Sequence, residues 1–265
     1  MKKLLIFIFI TTLTFAKLNV VVSIQPQLEF ANKIGGDKIN TSLMVQAGKS
    51  PHTYEPKPSQ MKAISKADLY LAIGVEFENA WLDRFKSQNR NLKVFDISKD
   101  INKSKSDPHI WVNPANVKII AKNIYSAFSS EDANNSEFYK QNLDNYLKEL
   151  DQLDNNITQI LRDVPKGSSV MVFHPAWGYF LSHYGLKQLP IEIEGKSPKP
   201  RELIQIIKKA KAQHVKAIFT QPEFSDKSAQ IIAKELNIKV IKASPLAKDW
   251  AKNLLKLARA IAGEN

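Results

Sequence analysis

Apolar positions along the chain follow two rhythms. Short runs rich in Val, Ile, Leu and Phe occur at 18–24, 39–45, 68–73 and 92–97, and again at 168–173, 188–193, 215–219 and 239–241. Runs of that length, bounded by Gly, Pro or polar clusters, are the pattern of strands buried on both faces. Between them the spacing changes to threes and fours, at 28–34, from Pro58, at 78–85, 114–124, 175–184, 200–212, 226–236 and 247–261, which predicts helices. Gly35-Gly36 and Gly185 close two of these helices, and Asn113-Pro114 opens another as N-cap and first helical residue. Strand and helix in alternation predict an α/β fold with parallel sheets.

One stretch departs from this rhythm. Residues 132–163 contain neither Pro nor Gly and carry a continuous stripe through Tyr139, Leu143, Tyr146, Leu150, Leu153 and Ile157, opposite a face with Lys140, Asp144, Lys148 and Asp151. A helix of that length spans about 45 Å at ~1.5 Å per residue. It has no heptad discipline and no partner of equal length, so it reads as a strut rather than a coiled coil. The chain therefore divides into an N-terminal α/β lobe (17–130), a linking helix (131–164) and a C-terminal α/β lobe (165–265). Each lobe is expected to hold a parallel sheet flanked by helices.

Composition changes the picture in three places. Residues 1–16 run from Lys2-Lys3 through an apolar segment to Thr14-Phe15-Ala16, the form of a cleavable signal peptide. The 265 residues include no Cys, which leaves no thiol for a disulfide or a lipid anchor. An exported, soluble, monomeric protein of the periplasm is the expectation. The formal net charge of +12 invites a nucleic-acid partner. The lysines, however, spread over every predicted helix instead of forming one stripe, and an export signal removes most such partners; no nucleic acid is expected.

Three of the five histidines sit in proline-bounded turns: Ser50-Pro51-His52-Thr53-Tyr54-Glu55-Pro56, Asp107-Pro108-His109-Ile110-Trp111, and Phe173-His174-Pro175-Ala176-Trp177. Each follows a strand and precedes a helix, the position at which parallel sheets bind ligands. A single loop histidine is most often an ordinary surface or core residue. Three in matching positions point to a metal, since imidazole suits Zn, Cu, Ni and Fe(II), and three neutral rings plus one further group form a tetrahedral zinc set. His52, His109 and His174 are the expected ligands. His183 and His214 lack the turn context and are read as surface residues. Asp107, Glu55 and Asn113 are candidates to orient the rings, with turn chemistry or helix capping as the equal alternative.

These motifs resemble the metal-binding components of ATP-driven importers for zinc and manganese, solute-binding protein family 9 (cluster A-I), in its zinc-uptake, ZnuA-like branch. The resemblance runs from about Lys17 to Gly263 and includes Ile193-Glu194-Gly195-Lys196 and Phe219-Thr220-Gln221-Pro222-Glu223-Phe224. It implies two α/β lobes on one rigid helix and delivery of Zn²⁺, as transported ligand, to an ABC-type membrane permease without chemistry on the metal. Two departures stand out. The family resemblance implies an Asp or Glu before the Pro-Leu pair of the last turn, where this chain has Ser244-Pro245-Leu246; the fourth ligand is left among water, Ser244 and Glu223. The segment 98–106 is short and has no His, which removes a metal-collecting role. Manganese-type members place Glu at the position of His174, so His174 favours zinc. The alternatives are a manganese- or iron-binding importer component of the same fold, and a three-histidine zinc hydrolase. Against the hydrolase, the ligand turns show no general base and the chain has no His-Glu-x-x-His helix.

Overall fold

The computed structural model describes residues 17–104, 107–193 and 195–264. The expected signal peptide 1–16, Lys105, Ser106 and Glu194 of the 193–196 motif lie outside the described residues. The first half runs β1 (Leu18–Val22), α1 (Gln25–Gly35), β2 (Ile39–Leu43), α2 (Pro58–Ile64), β3 (Leu69–Ala72), α3 (Glu76–Gln88), β4 (Lys93–Asp96) and α4 (Pro114–Glu131). The long helix α5 (Ser136–Ile160) follows. The second half runs β5 (Ser169–Val172), α6 (Gly178–His183), β6 (Lys187–Pro190), α7 (Pro200–Ala212), β7 (Ala217–Thr220), α8 (Lys227–Leu236), β8 (Lys239–Lys242) and α9 (Trp250–Ala262).

The strands form two four-stranded parallel sheets with the same order, β2-β1-β3-β4 and β6-β5-β7-β8. In each, the first two strands in sequence pair, and the chain then crosses back to the other side of the first. The inner strands are the most apolar: all of Leu69–Ala72 and the last three residues of β1, β5 and β7 are buried. The edge strands β4 and β8 expose charged residues at both ends, Lys93 and Asp96 and Lys239 and Lys242, around half-buried apolar pairs. Every loop leaving a strand's carboxyl end points toward the helix that follows, so the turns carrying His52, His109 and His174 all leave carboxyl ends.

Helix α5 buries Tyr139, Leu143, Tyr146, Leu150, Leu153 and Ile157, the predicted stripe, and packs against α1, α4 and α9. It is shorter than predicted at both ends. At the start, Asp132 takes φ −139°, ψ 67° and breaks the chain after α4. Its Oδ2 accepts hydrogen bonds from Asn135 Nδ2 and Tyr139 Oη, both at 2.7 Å, across a 3-10 turn (Ala133–Asn135). That local bonding outcompetes a continuous helix. At the other end Pro165 disfavours helical backbone just before it. Helix α4, conversely, runs past 124 to Glu131, because Ala127 and Phe128 extend its buried face.

Buried indole donors tie the two halves together. Trp111 Nε1 donates to the carbonyl of Pro245 at 2.9 Å, and Trp250 Nε1 donates to the carbonyl of Trp111 at 2.8 Å. Trp111, Trp177 and Trp250 are among the largest fully buried side chains. Replacing Leu150 by Ala is expected to lower the unfolding free energy by about 2–5 kcal/mol, through lost apolar burial and a residual cavity. Lys148→Ala, on the exposed face of the same helix, is expected to stay within about 0.5 kcal/mol. Equal losses in a denaturant titration of the two variants would contradict this account of the strut.

Candidate metal centre

His174 follows β5 within two residues, and its backbone is clamped rather than free. Gln221, just past β7, accepts the His174 N–H through Oε1 at 3.2 Å and donates Nε2–H to the His174 carbonyl at 3.0 Å. The imidazole stacks on Phe224 with centroids 4.5 Å apart. His109 opens a 3-10 turn (Ile110–Val112) ahead of α4, and lies edge-on to Trp111. His52 lies in the irregular segment between β2 and α2 and is the most exposed of the three; Ser50 Oγ accepts its N–H at 3.3 Å.

The three rings converge. One ligand nitrogen from each of His52, His109 and His174 lies within 4.8 Å of the other two, the candidate cluster found among the described residues. His174 is central, with ring centroids 5.5 Å from His52 and 5.2 Å from His109. His183 instead bonds Asp154 Oδ1 at 3.0 Å, and His214 is exposed with φ 50° ahead of β7; neither approaches the cluster.

A carboxylate sits behind each ring. His52 Nδ1 meets Glu76 Oε2 at 2.7 Å, His109 Nδ1 meets Asp107 Oδ1 at 2.8 Å, and His174 Nδ1 meets Glu192 Oε2 at 2.9 Å. An ionised carboxylate only accepts, so Nδ1 carries the hydrogen and Nε2 keeps its lone pair. Nε2 of His174 is buried with no hydrogen-bond partner. Asp107 does two things with one oxygen, since Oδ1 also accepts the His109 backbone N–H at 3.0 Å. Glu76 and Glu192 were not among the orienting residues read from the sequence. Glu55 is exposed instead, and Asn113 caps α4, accepting from Ala115 N at 2.9 Å. The available signal was position: Glu76 and Glu192, like the histidines, follow strand carboxyl ends.

The electrostatics favour a neutral ring at His174. Burial, and then the neighbouring His109 and His52, pull His174 down to about 3. Burial pushes the carboxyls of Glu192 and Glu223 upward. The cavity bounded by the three rings, Glu76, Trp111, Glu223, Phe224 and Leu246 is small, about 20 Å³. Glu223 Oε1 accepts the Ser244 hydroxyl at 2.9 Å, and Glu223 Oε2 is buried without a partner.

A family model for the zinc-uptake complex component A, periplasmic (ZnuA), matches residues 20–263. The chain belongs to this family. The manganese ABC transporter substrate-binding lipoprotein PsaA of Streptococcus mitis is 30% identical over 245 residues, 84% of this chain and 78% of its own length. A metal ABC transporter substrate-binding lipoprotein of Lactococcus lactis subsp. lactis is 30% identical over 248 residues, 86% and 78% of the two chains. A crystal structure of ZnuA superposes with TM-score 0.90 at 40% identity, covering 94% of this chain and 99% of that one. A zinc-bound ZnuA deletion mutant gives 0.88, also at 40% identity, with 94% and 98% covered. The chain is thus a substrate-binding protein of the metal ABC transporter type, its relatives are transport proteins, and its expected fold is the one observed.

The low position of His174 has a measurable consequence. The unfolded chain takes up a proton on this histidine near pH ~6.5, and the native ring does not until about 3. This group therefore favours unfolding increasingly as pH falls below about 6.5. In an NMR titration of the metal-free protein, the His174 ring resonances should stay flat from pH 8 to pH 5. A midpoint near 6.5 would contradict the buried, neutral ring.

Proposed function

We propose that this protein captures Zn²⁺ in the periplasm through Nε2 of His52, His109 and His174 and hands it, as a monomer, to the membrane permease of an ABC importer. The observation that carries the reading is the carboxylate behind each ring. Three pinned Nδ1–H groups leave three Nε2 lone pairs turned toward one small cavity. Carboxylate–imidazole pairs raise ligand basicity and fix ring orientation before the metal arrives. Three nitrogen donors suit zinc better than the harder, oxygen-seeking manganese. The sequence points to a site of three imidazoles without a carboxylate; the structure adds three acidic groups directly behind the rings.

Several observations support the remaining parts. The Streptococcus mitis and Lactococcus lactis relatives are lipoproteins, whereas this chain has no Cys, in keeping with an unanchored periplasmic form released by the leader read at 1–16. Among the described residues, no helix is long and apolar enough to cross a membrane. The protein is not an enzyme in this reading, in keeping with relatives that are transport proteins. Zinc-loaded protein should then hydrolyse activated esters no faster than free zinc does.

His52→Ala, His109→Ala and His174→Ala should each weaken zinc by orders of magnitude in a chelator competition, and unchanged affinity in any one would remove that residue from the centre. Glu192→Ala should cost about 10- to 100-fold through loss of ring orientation. Gly178→Ala tests the meeting of the two halves at Asp107. A Cβ at Gly178 would collide with Asp107 Oδ2, so the carboxylate behind His109 must shift. Zinc affinity should fall while α6 persists by circular dichroism; full affinity would show that Asp107 does not need its place. In thermal unfolding, zinc at about 100 times its dissociation constant should add roughly 2.7 kcal/mol, with little effect from manganese. Stabilisation by manganese alone would point to an oxygen-rich site and against this reading.

A further inference from the structure

Zinc completes a tetrahedron with a fourth ligand, and the turn expected to supply a carboxylate carries Ser244 instead. Glu223, in the turn after β7, borders the same cavity as the three histidines. Ser244 Oγ accepts the N–H of Leu246 at 3.0 Å and donates its only O–H to Glu223 Oε1 at 2.9 Å. The serine is thereby committed at both ends, as donor and as acceptor. Glu223 Oε2 is left buried with no partner. A bare buried carboxylate oxygen is costly, and marks a place where a further group belongs. No oxygen of Glu223 joins the three nitrogens that lie within 4.8 Å of one another, so it stands farther off than a direct ligand. Whatever links it to a metal on the three rings must be small, such as one water.

Resting on the zinc reading above, we propose that Glu223 completes the centre at one remove: a water takes the fourth position on the metal and donates a hydrogen bond to Glu223 Oε2, while Ser244 locks the carboxylate in that pose. Ser244 is then a positioning residue rather than a ligand. The carboxylate adds negative charge on the open side of a nitrogen-donor site without making the site oxygen-rich. A nitrogen-donor centre can in this way retain zinc with Ser244, rather than an acidic residue, in its last turn.

The test is a double-mutant cycle in zinc affinity by chelator competition, with metal-free thermal unfolding as the control for folding. Glu223→Gln should weaken zinc about 10- to 100-fold, the range for groups that act through a ligand. It should leave metal-free unfolding unchanged or raised, because a buried bare carboxylate is removed. Ser244→Ala should weaken zinc less in the wild-type background and have no further effect in the Glu223→Gln background, since it acts through Glu223. His109→Ala serves as the reference for loss of a ligand. If Glu223→Gln binds zinc as the wild type does while His109→Ala has lost it, the zinc reading stands and this proposal is overturned. Strictly additive losses overturn the role given to Ser244. A wild-type protein that takes up no zinc overturns the zinc reading and this inference with it.

Discussion

An imidazole offers a metal only one of its two nitrogens, and a free ring turns. The centre depends on the bond that prevents this, the Nδ1–H held by a carboxylate at 2.7–2.9 Å behind each of three rings. The same arrangement keeps the metal-free site tolerable. Charged rings this close would repel, and burial drives the central one, His174, toward its neutral form. Each carboxylate accepts a hydrogen bond from a ring Nδ1–H and in return fixes which lone pair faces inward. Metal binding then needs no new ordering of side chains, which is where a flexible site loses affinity.

Those carboxylates and rings come from both sheets, so the bond geometry is only as good as the frame that aligns the sheets. Identical strand order in the two halves puts the carboxyl ends of β1–β4 and of β5–β8 against the same crevice. Helix α5 holds the halves apart on a buried stripe, and Trp111 and Trp250 bind them across the gap through hydrogen bonds to buried carbonyls. At the seam itself Gly178 leaves the space that the Asp107 carboxylate occupies. Packing sets the spacing of the two sheets, and the site inherits it.

Strands, helices and the three histidine turns were legible because each has a local signal. An apolar run, a spacing of three and four, or a proline-bounded turn can be read within a dozen residues. Asp107 was legible for the same reason, standing two residues from His109. Glu76 and Glu192 were not, since 24 and 18 residues separate them from the rings they hold, and only the sheet topology brings the pairs together. Glu55 and Asn113 were reasonable by proximity, yet the chain uses Asn113 as a helix cap and leaves Glu55 exposed. The start of the long helix was misplaced by the same kind of local competition, with the Asp132 side chain bonding Asn135 and Tyr139. The pairing of Ser244 with Glu223, which joins the turns after β7 and β8, likewise emerges only from the fold.

The most direct measurement is a crystal structure of the zinc-loaded protein with anomalous diffraction recorded on both sides of the zinc absorption edge. The account predicts a single strong zinc peak at about 2.0–2.1 Å from Nε2 of His52, His109 and His174, with the three Nδ1 contacts to Glu76, Asp107 and Glu192 intact. A zinc peak elsewhere, or one bound through Nδ1 with those carboxylates displaced, would contradict it.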